Sequence, residues 1–127
     1  VYHDLRSVAQ LPTLDAEFAA TVLTRVASLP GCDRVTCDAG SKSIEGTGPE
    51  QIAEVSGHQQ LRALGQSEEH TVFQVNGGPR PQRGELLRLI PGHVCPTVNL
   101  AAYALLLEDG HLVGRAEVVA RGHETLA

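Results

Sequence analysis

The sequence predicts an all-β (mainly β) fold, a closed or partly open β-barrel with few short helices. Three observations predict it. Short apolar runs, several rich in β-branched residues, are separated by turns that contain Gly or Pro. One of those turns, Asp109-Gly110, lies between two apolar runs and is the strongest short-range hairpin signal a sequence can carry. Only one stretch, opening at Asp15 and Glu17, has the look of a helix start, and the β-branched residues that follow contest it.

Taken in order, "TVLTRVASL" (21–29) is a strand, with Val22, Thr24 and Val26 alternating with Leu23 and Arg25. "DRVTCDAG" (33–40) is a short strand running into a turn, and "GSKSIEGTGPEQ" (40–51) has the glycine, serine and proline of a loop. "HTVFQVNGG" (70–78) is a strand ending at an Asn-Gly turn. "ELLRLIPGHVC" (85–95) reads as a strand interrupted by Pro-Gly. "AYALLLEDGHLVGRAEVVA" (102–120) is the hairpin. No repeat, low-complexity tract or linker divides the chain, so residues 1–127 read as a single domain.

Composition narrows the function. With 42% hydrophobic but only 3% aromatic residues and no Trp, the core has to be built from Val, Leu, Ile and Ala. A formal charge of −5 argues against a nucleic-acid surface, which needs clustered Lys and Arg. No apolar run approaches the ~18 residues of a membrane span, and "VYHDLRS" has no apolar signal region. Cys32, Cys37 and Cys95 form an odd set without CxxC spacing, which argues against a disulfide framework and for a reducing cytoplasm. A chain that starts with Val and contains no Met is expected to be processed or a piece of something longer.

The chemistry is concentrated in "PGHVCPTVNL" (91–100). In a strand, residues i and i+2 share a face, so His93 and Cys95 would present an imidazole nitrogen and a sulfur side by side, stiffened by Pro91-Gly92 and Pro96. Thiolate plus imidazole favours Zn²⁺ over Mg²⁺ or Ca²⁺. Two protein ligands are too few for a closed structural site, so the arrangement has the open character of a catalytic one. The plainer alternative is a small buried thiol beside a hydrogen-bonded histidine.

"DRVTCDAGSKSI" (33–44), "SEEHTVF" (67–73), "PGHVCPTVNL" (91–100) and "VVARG" (118–122), in that order, resemble the C-terminal domain of the D-threonine aldolase and D-serine dehydratase-like family. These are fold-type III, pyridoxal phosphate-dependent enzymes related to alanine racemase. The resemblance implies a β-barrel that follows an N-terminal (β/α)₈ barrel, with the cofactor on a lysine of that absent domain. Lys42 in "DAGSK" is not that lysine. It implies His93 and Cys95 as metal ligands, Zn²⁺ being favoured and Mn²⁺ the alternative, in a lyase acting on β-hydroxy-D-amino acids. It further implies a homodimer when complete, with no activity expected of this domain alone. Residues 45–66 match poorly.

Within the matched motifs, Asp38 and His70 are candidates for orienting a ligand or water, against the alternatives of a turn-capping aspartate and an ordinary strand-start histidine. Thr97 and Asn99 either tighten the turn after Cys95 or touch substrate, the structural role being preferred. Cys32 and Cys37 read as inert thiols, and His3, His58, His111 and His123 as solvent-facing. Alanine racemases place a catalytic tyrosine in the region related to "DAGSK", across the dimer interface. No tyrosine stands between residues 33 and 44, so that role does not carry over, although the loop reaching a partner subunit stays open. Against the lyase domain stand two other functions: a stand-alone β-barrel that binds a metal or protein partner, and a non-catalytic dimerisation module with an empty His-Cys pair.

Overall fold

Period-two alternation runs through most of the strands and decides what faces inward. In β2 (Arg34–Cys37), Val35 and Cys37 are buried while Arg34 points out. In β6 (Leu86–Pro91), Leu87 and Leu89 are buried between exposed Leu86 and Arg88. The same pattern buries Thr24 and Val26 of β1 (Val22–Ser28), Ala53 and Val55 of β3 (Ala53–Val55), and Thr71 and Phe73 of β5 (Thr71–Val75). With β4 (Leu61–Gln66), these strands close into an antiparallel barrel in the order β1-β2-β5-β4-β3-β6. The pairing of Val22 with Leu89 through Arg25 with Leu86 joins the last strand to the first.

The computed structural model describes residues 3–13, 15, 17–46, 48 and 51–122. Outside the barrel lie two short helices, α1 (Leu5–Gln10) and α2 (Val94–Asn99), and a two-stranded hairpin of β7 (Tyr103–Glu108) and β8 (His111–Glu117). The core is the predicted Val, Leu, Ile and Ala, with Phe73 and Cys37 added at 0% exposure.

The strands read at 21–29, 33–40 and 70–78 form, as does the Asp109-Gly110 hairpin. Both turn residues there have positive φ, 47° and 79°, as a two-residue turn matched to the strand twist requires. The helix start suggested by Asp15 and Glu17 does not form; neither residue is helical. Two strands were not read from the sequence. β3 is only three residues long, and β4 is interrupted by a register shift between Ala63 and Gly65 that breaks its alternation.

Register also places the ends. The start of β1, the end of β2, the Ser67–His70 turn between β4 and β5, the start of β3 and the end of β6 all fall on one rim. Three of the matched motifs therefore meet at one end of the barrel. The loop after β2 crosses that end: Ile44 is 0% exposed, plugging the core, and its carbonyl accepts from Gln66 Nε2.

Candidate functional site

β6 cannot continue past Pro91, which is the last residue paired with β3. Gly92 follows with its N–H bonded to the Ile52 carbonyl at 3.1 Å, so close to the Gln51 carbonyl oxygen that any Cβ would overlap it. The chain then turns into α2. His93 is its N-cap in extended conformation (φ −138°, ψ 116°), and Cys95 lies in its first turn. This corrects the reading of 85–95 as one interrupted strand, and with it the argument that His93 and Cys95 share a pleated face. The overlooked signal was Pro96: proline is at home in a helix's first turn, where its missing N–H costs nothing.

Three segments fix this corner. The Thr97 hydroxyl donates to the His93 carbonyl at 2.7 Å and accepts from the Glu45 N–H at 3.0 Å, and His93 N–H donates to the Glu45 carbonyl at 3.2 Å. So Thr97 has the structural role preferred for it; Asn99 ends α2, exposed. The third segment is the N-terminus, which the sequence reading did not single out. Asp4 is 2% exposed, caps α1 through Ser7 and accepts from the Val94 N–H at 2.7 Å. Burial alone would push the Asp4 carboxyl up, but hydrogen bonds from Val94 and Ser7, aided by the nearby His93, hold it below the usual aspartate value. An aspartate before a short polar stretch was legible only as a helix cap, since its second partner is 90 residues away.

The other candidates belong to the neighbouring part of the rim. Asp38 accepts from the Thr24 hydroxyl at 2.8 Å and the Arg25 N–H at 2.7 Å, so it ties β2 to β1 rather than capping its own turn. His70 closes the Ser67–His70 turn through its backbone and is exposed. No hydrogen bond among the described residues links Asp38 or His70 to His93 or Cys95. The "DAGSK" loop packs on this turn: Ser41 and Lys42 donate backbone bonds to Ser67 and Glu68, and a Cβ on Gly40 would overlap the Glu68 backbone. Lys42 pairs with Glu69 at 2.6 Å and Glu68 at 3.1 Å, which raises its pKa in that order.

Cys37 is the inert thiol expected. Burial, with the Asp38 charge, pushes it up to about 12. Cys32 is exposed in a loop; all three cysteines are free. Of the histidines read as solvent-facing, His111 is exposed, His3 and His58 are half-buried, and His123 lies outside the described residues. The His58 Nδ1 lies 3.4 Å from Gln60 Nε2.

His93 lines an open cleft of about 620 Å³ together with Arg6, Ala9, Gln10, Gly46 and Gln51. The His93 side chain makes no capping bond to α2, and Cys95 is exposed and unbonded. One imidazole and one thiol suit zinc in kind, but they are half of a tetrahedral set. Among the described residues no three His, Cys, Asp or Glu side chains are grouped to hold a metal.

The fold and the rim define a small closed antiparallel barrel with a short helix at one end. Residues 19–107 match the family model described as "Putative serine dehydratase domain", and the chain belongs to that family. It is 40% identical over 103 residues to a D-threonine aldolase of an Arthrobacter species, covering 80% of this chain and 26% of that one. An uncharacterised protein of Mycobacterium tuberculosis is 37% identical over 111 residues, covering 82% of this chain and 81% of its own. The fold superposes on the crystal structure of D-threonine aldolase from Filomicrobium marinum with a TM-score of 0.85 at 23% identity, covering 94% of this chain and 33% of that one. Among the described residues no helix is long and apolar enough to cross a membrane.

Proposed function

We propose that this chain is the metal-carrying C-terminal domain of a pyridoxal phosphate-dependent lyase acting on β-hydroxy-D-amino acids, of the D-threonine aldolase or D-serine dehydratase type. The observation that carries the reading is the meeting of segments 33–44, 67–73 and 91–100 on one barrel rim, with His93 and Cys95 at its edge. The likeness to an aldolase of which the match covers only 26% supports a separate domain that holds the cofactor. Lys42, engaged by two glutamates, is not placed for that task.

In this reading the chain's own work is to hold two donors at the mouth of a shared site. His93 offers a ring not spent on capping α2, and Cys95 offers an exposed sulfur two residues further along. Asp4, Glu45 and Thr97 keep their backbone still. When bound, a divalent cation polarises a substrate β-hydroxyl for retro-aldol cleavage or for dehydration, while pyridoxal phosphate supplies the electron sink. Complete, such an enzyme is expected to be a homodimer working in the cytoplasm.

Zinc analysis after dialysis against trace Zn²⁺ tests the ligand pair. Wild type should retain about one zinc per chain and Cys95→Ser should lose it. Zinc missing from the wild-type chain and from its full-length aldolase relative alike would overturn the metal role. One observation favours a second reading, a non-catalytic metal-binding or dimerisation module: the mycobacterial relative is covered over 81% of its length, leaving little room there for another domain.

A further inference from the structure

We infer that Asp4 is the positioning residue that sets the His93–Val94–Cys95 backbone so that both side chains reach one divalent cation, an inference that rests on reading the pair as metal ligands. Asp4 stands at the start of two helices at once. Its Oδ1 accepts from the Ser7 N–H and the Ser7 hydroxyl, both at 2.7 Å, and caps α1. Its Oδ2 accepts from the Val94 N–H at 2.7 Å, the first amide of α2.

Val94 is the residue between the two donors. The peptide group that joins it to His93 is gripped at both ends, its N–H by Asp4 and its carbonyl by the Thr97 hydroxyl at 2.7 Å. With that peptide held at both ends, the backbone that carries His93 and opens the first turn of α2, where Cys95 lies, is kept in one orientation. The His93 ring makes no capping bond to α2. The Arg6 N–H, bonded to the Gly92 carbonyl at 3.2 Å, keeps the donor segment in place.

Partners that hydrogen-bond a ligand's side chain typically contribute about 10–100-fold to metal affinity, and a group holding the ligands' backbone is expected to act over the same range. Cobalt(II) is the probe, because a cysteine–cobalt bond gives a near-ultraviolet charge-transfer band that titrates with occupancy. Wild type should show the band, and Cys95→Ser should lose it. Asp4→Asn should bind cobalt about 10–100-fold more weakly. Ser7→Ala, which leaves the Oδ2 bond intact, should lower the melting temperature yet bind cobalt as wild type does. Val94→Pro provides an independent variant. It deletes the N–H itself at a first helical position that accepts proline, after a His93 already in the extended conformation a following proline demands.

Val94→Pro should weaken cobalt binding as Asp4→Asn does, and it decides the matter should Asp4→Asn fail to fold. Wild-type affinity in whichever of the two folds would overturn the positioning role. Absence of the band from wild type, or its survival in Cys95→Ser, would instead overturn the ligand pair on which the role rests.

Discussion

The barrel and the β7–β8 hairpin are built from similar apolar strands and end in opposite situations. In the barrel, Val35, Phe73 and Leu89 are 0% exposed; in the hairpin, Leu105, Leu107 and Leu112 are 55%, 56% and 63% exposed. Composition does not separate them. Closure does: six strands that return to the first enclose an interior, whereas two strands have two faces and two free edges, and among the described residues no layer covers either face. Apolar strand residues decide that a strand forms, and the number of partners decides whether those residues are buried. The clearest packing within the hairpin itself is the Arg115 guanidinium over the Tyr103 ring, 5.0 Å from its centre.

The contrast can be broken most directly by truncating one residue on each side. Phe73→Ala should cost about 3–5 kcal/mol in urea unfolding, while Leu105→Ala should stay within about 0.5 kcal/mol. A comparable loss from the leucine would mean that the hairpin is part of the cooperative unit. A gentler comparison adds one methyl group to a glycine. At Gly92 the new Cβ would overlap the Gln51 carbonyl, so Gly92→Ala should cost about 1–3 kcal/mol; at Gly114 it meets only Leu106 Cδ1 at 3.7 Å, and Gly114→Ala should be near neutral.

Acid supplies the smallest effect and sharpens the barrel's side. Burial works to raise the Asp38 carboxyl, but bonds from Arg25 and Thr24 outweigh it and hold it below the ordinary 3.8. A depressed carboxylate contributes stability that is fully present above its unfolded value and is lost as pH falls through its folded one. Unfolding midpoints should therefore be flat above about pH 4 and fall below it, and the fall should be shallower in Asp38→Asn. An unchanged slope in that variant would remove Asp38 from the account.

Much of the architecture was legible because strands such as 33–40 and 70–78 carry their own alternation and their own turn residues. What was hidden needed partners. β3 is held by pairing with β4 and β6 and not by its three residues, and the bulge in β4 masks its period. At the candidate site, His93 and Cys95 were singled out by residue type, spacing and resemblance, while their local conformation was misread because Pro96 was taken as a stiffener of a strand and not as the opening of a helix. Asp4 was invisible for a different reason. Its meaning is a contact with Val94, and no local pattern in "HDLRS" refers to a residue near the other end of the chain.

Ile44 has a consequence for how such a domain can change. Many eight-stranded barrels store a ligand inside, so their specificity is written into interior side chains that also hold the fold together. Here the loop over the mouth drives Ile44 into the centre, and the interior is solid. Whatever the rim engages must approach from outside, as a tool meets the edge of a workbench and not the bottom of a cup. Exposed rim residues can then be exchanged for new preferences while Ile44 keeps the core closed, and the scaffold can be reinforced without retuning the rim.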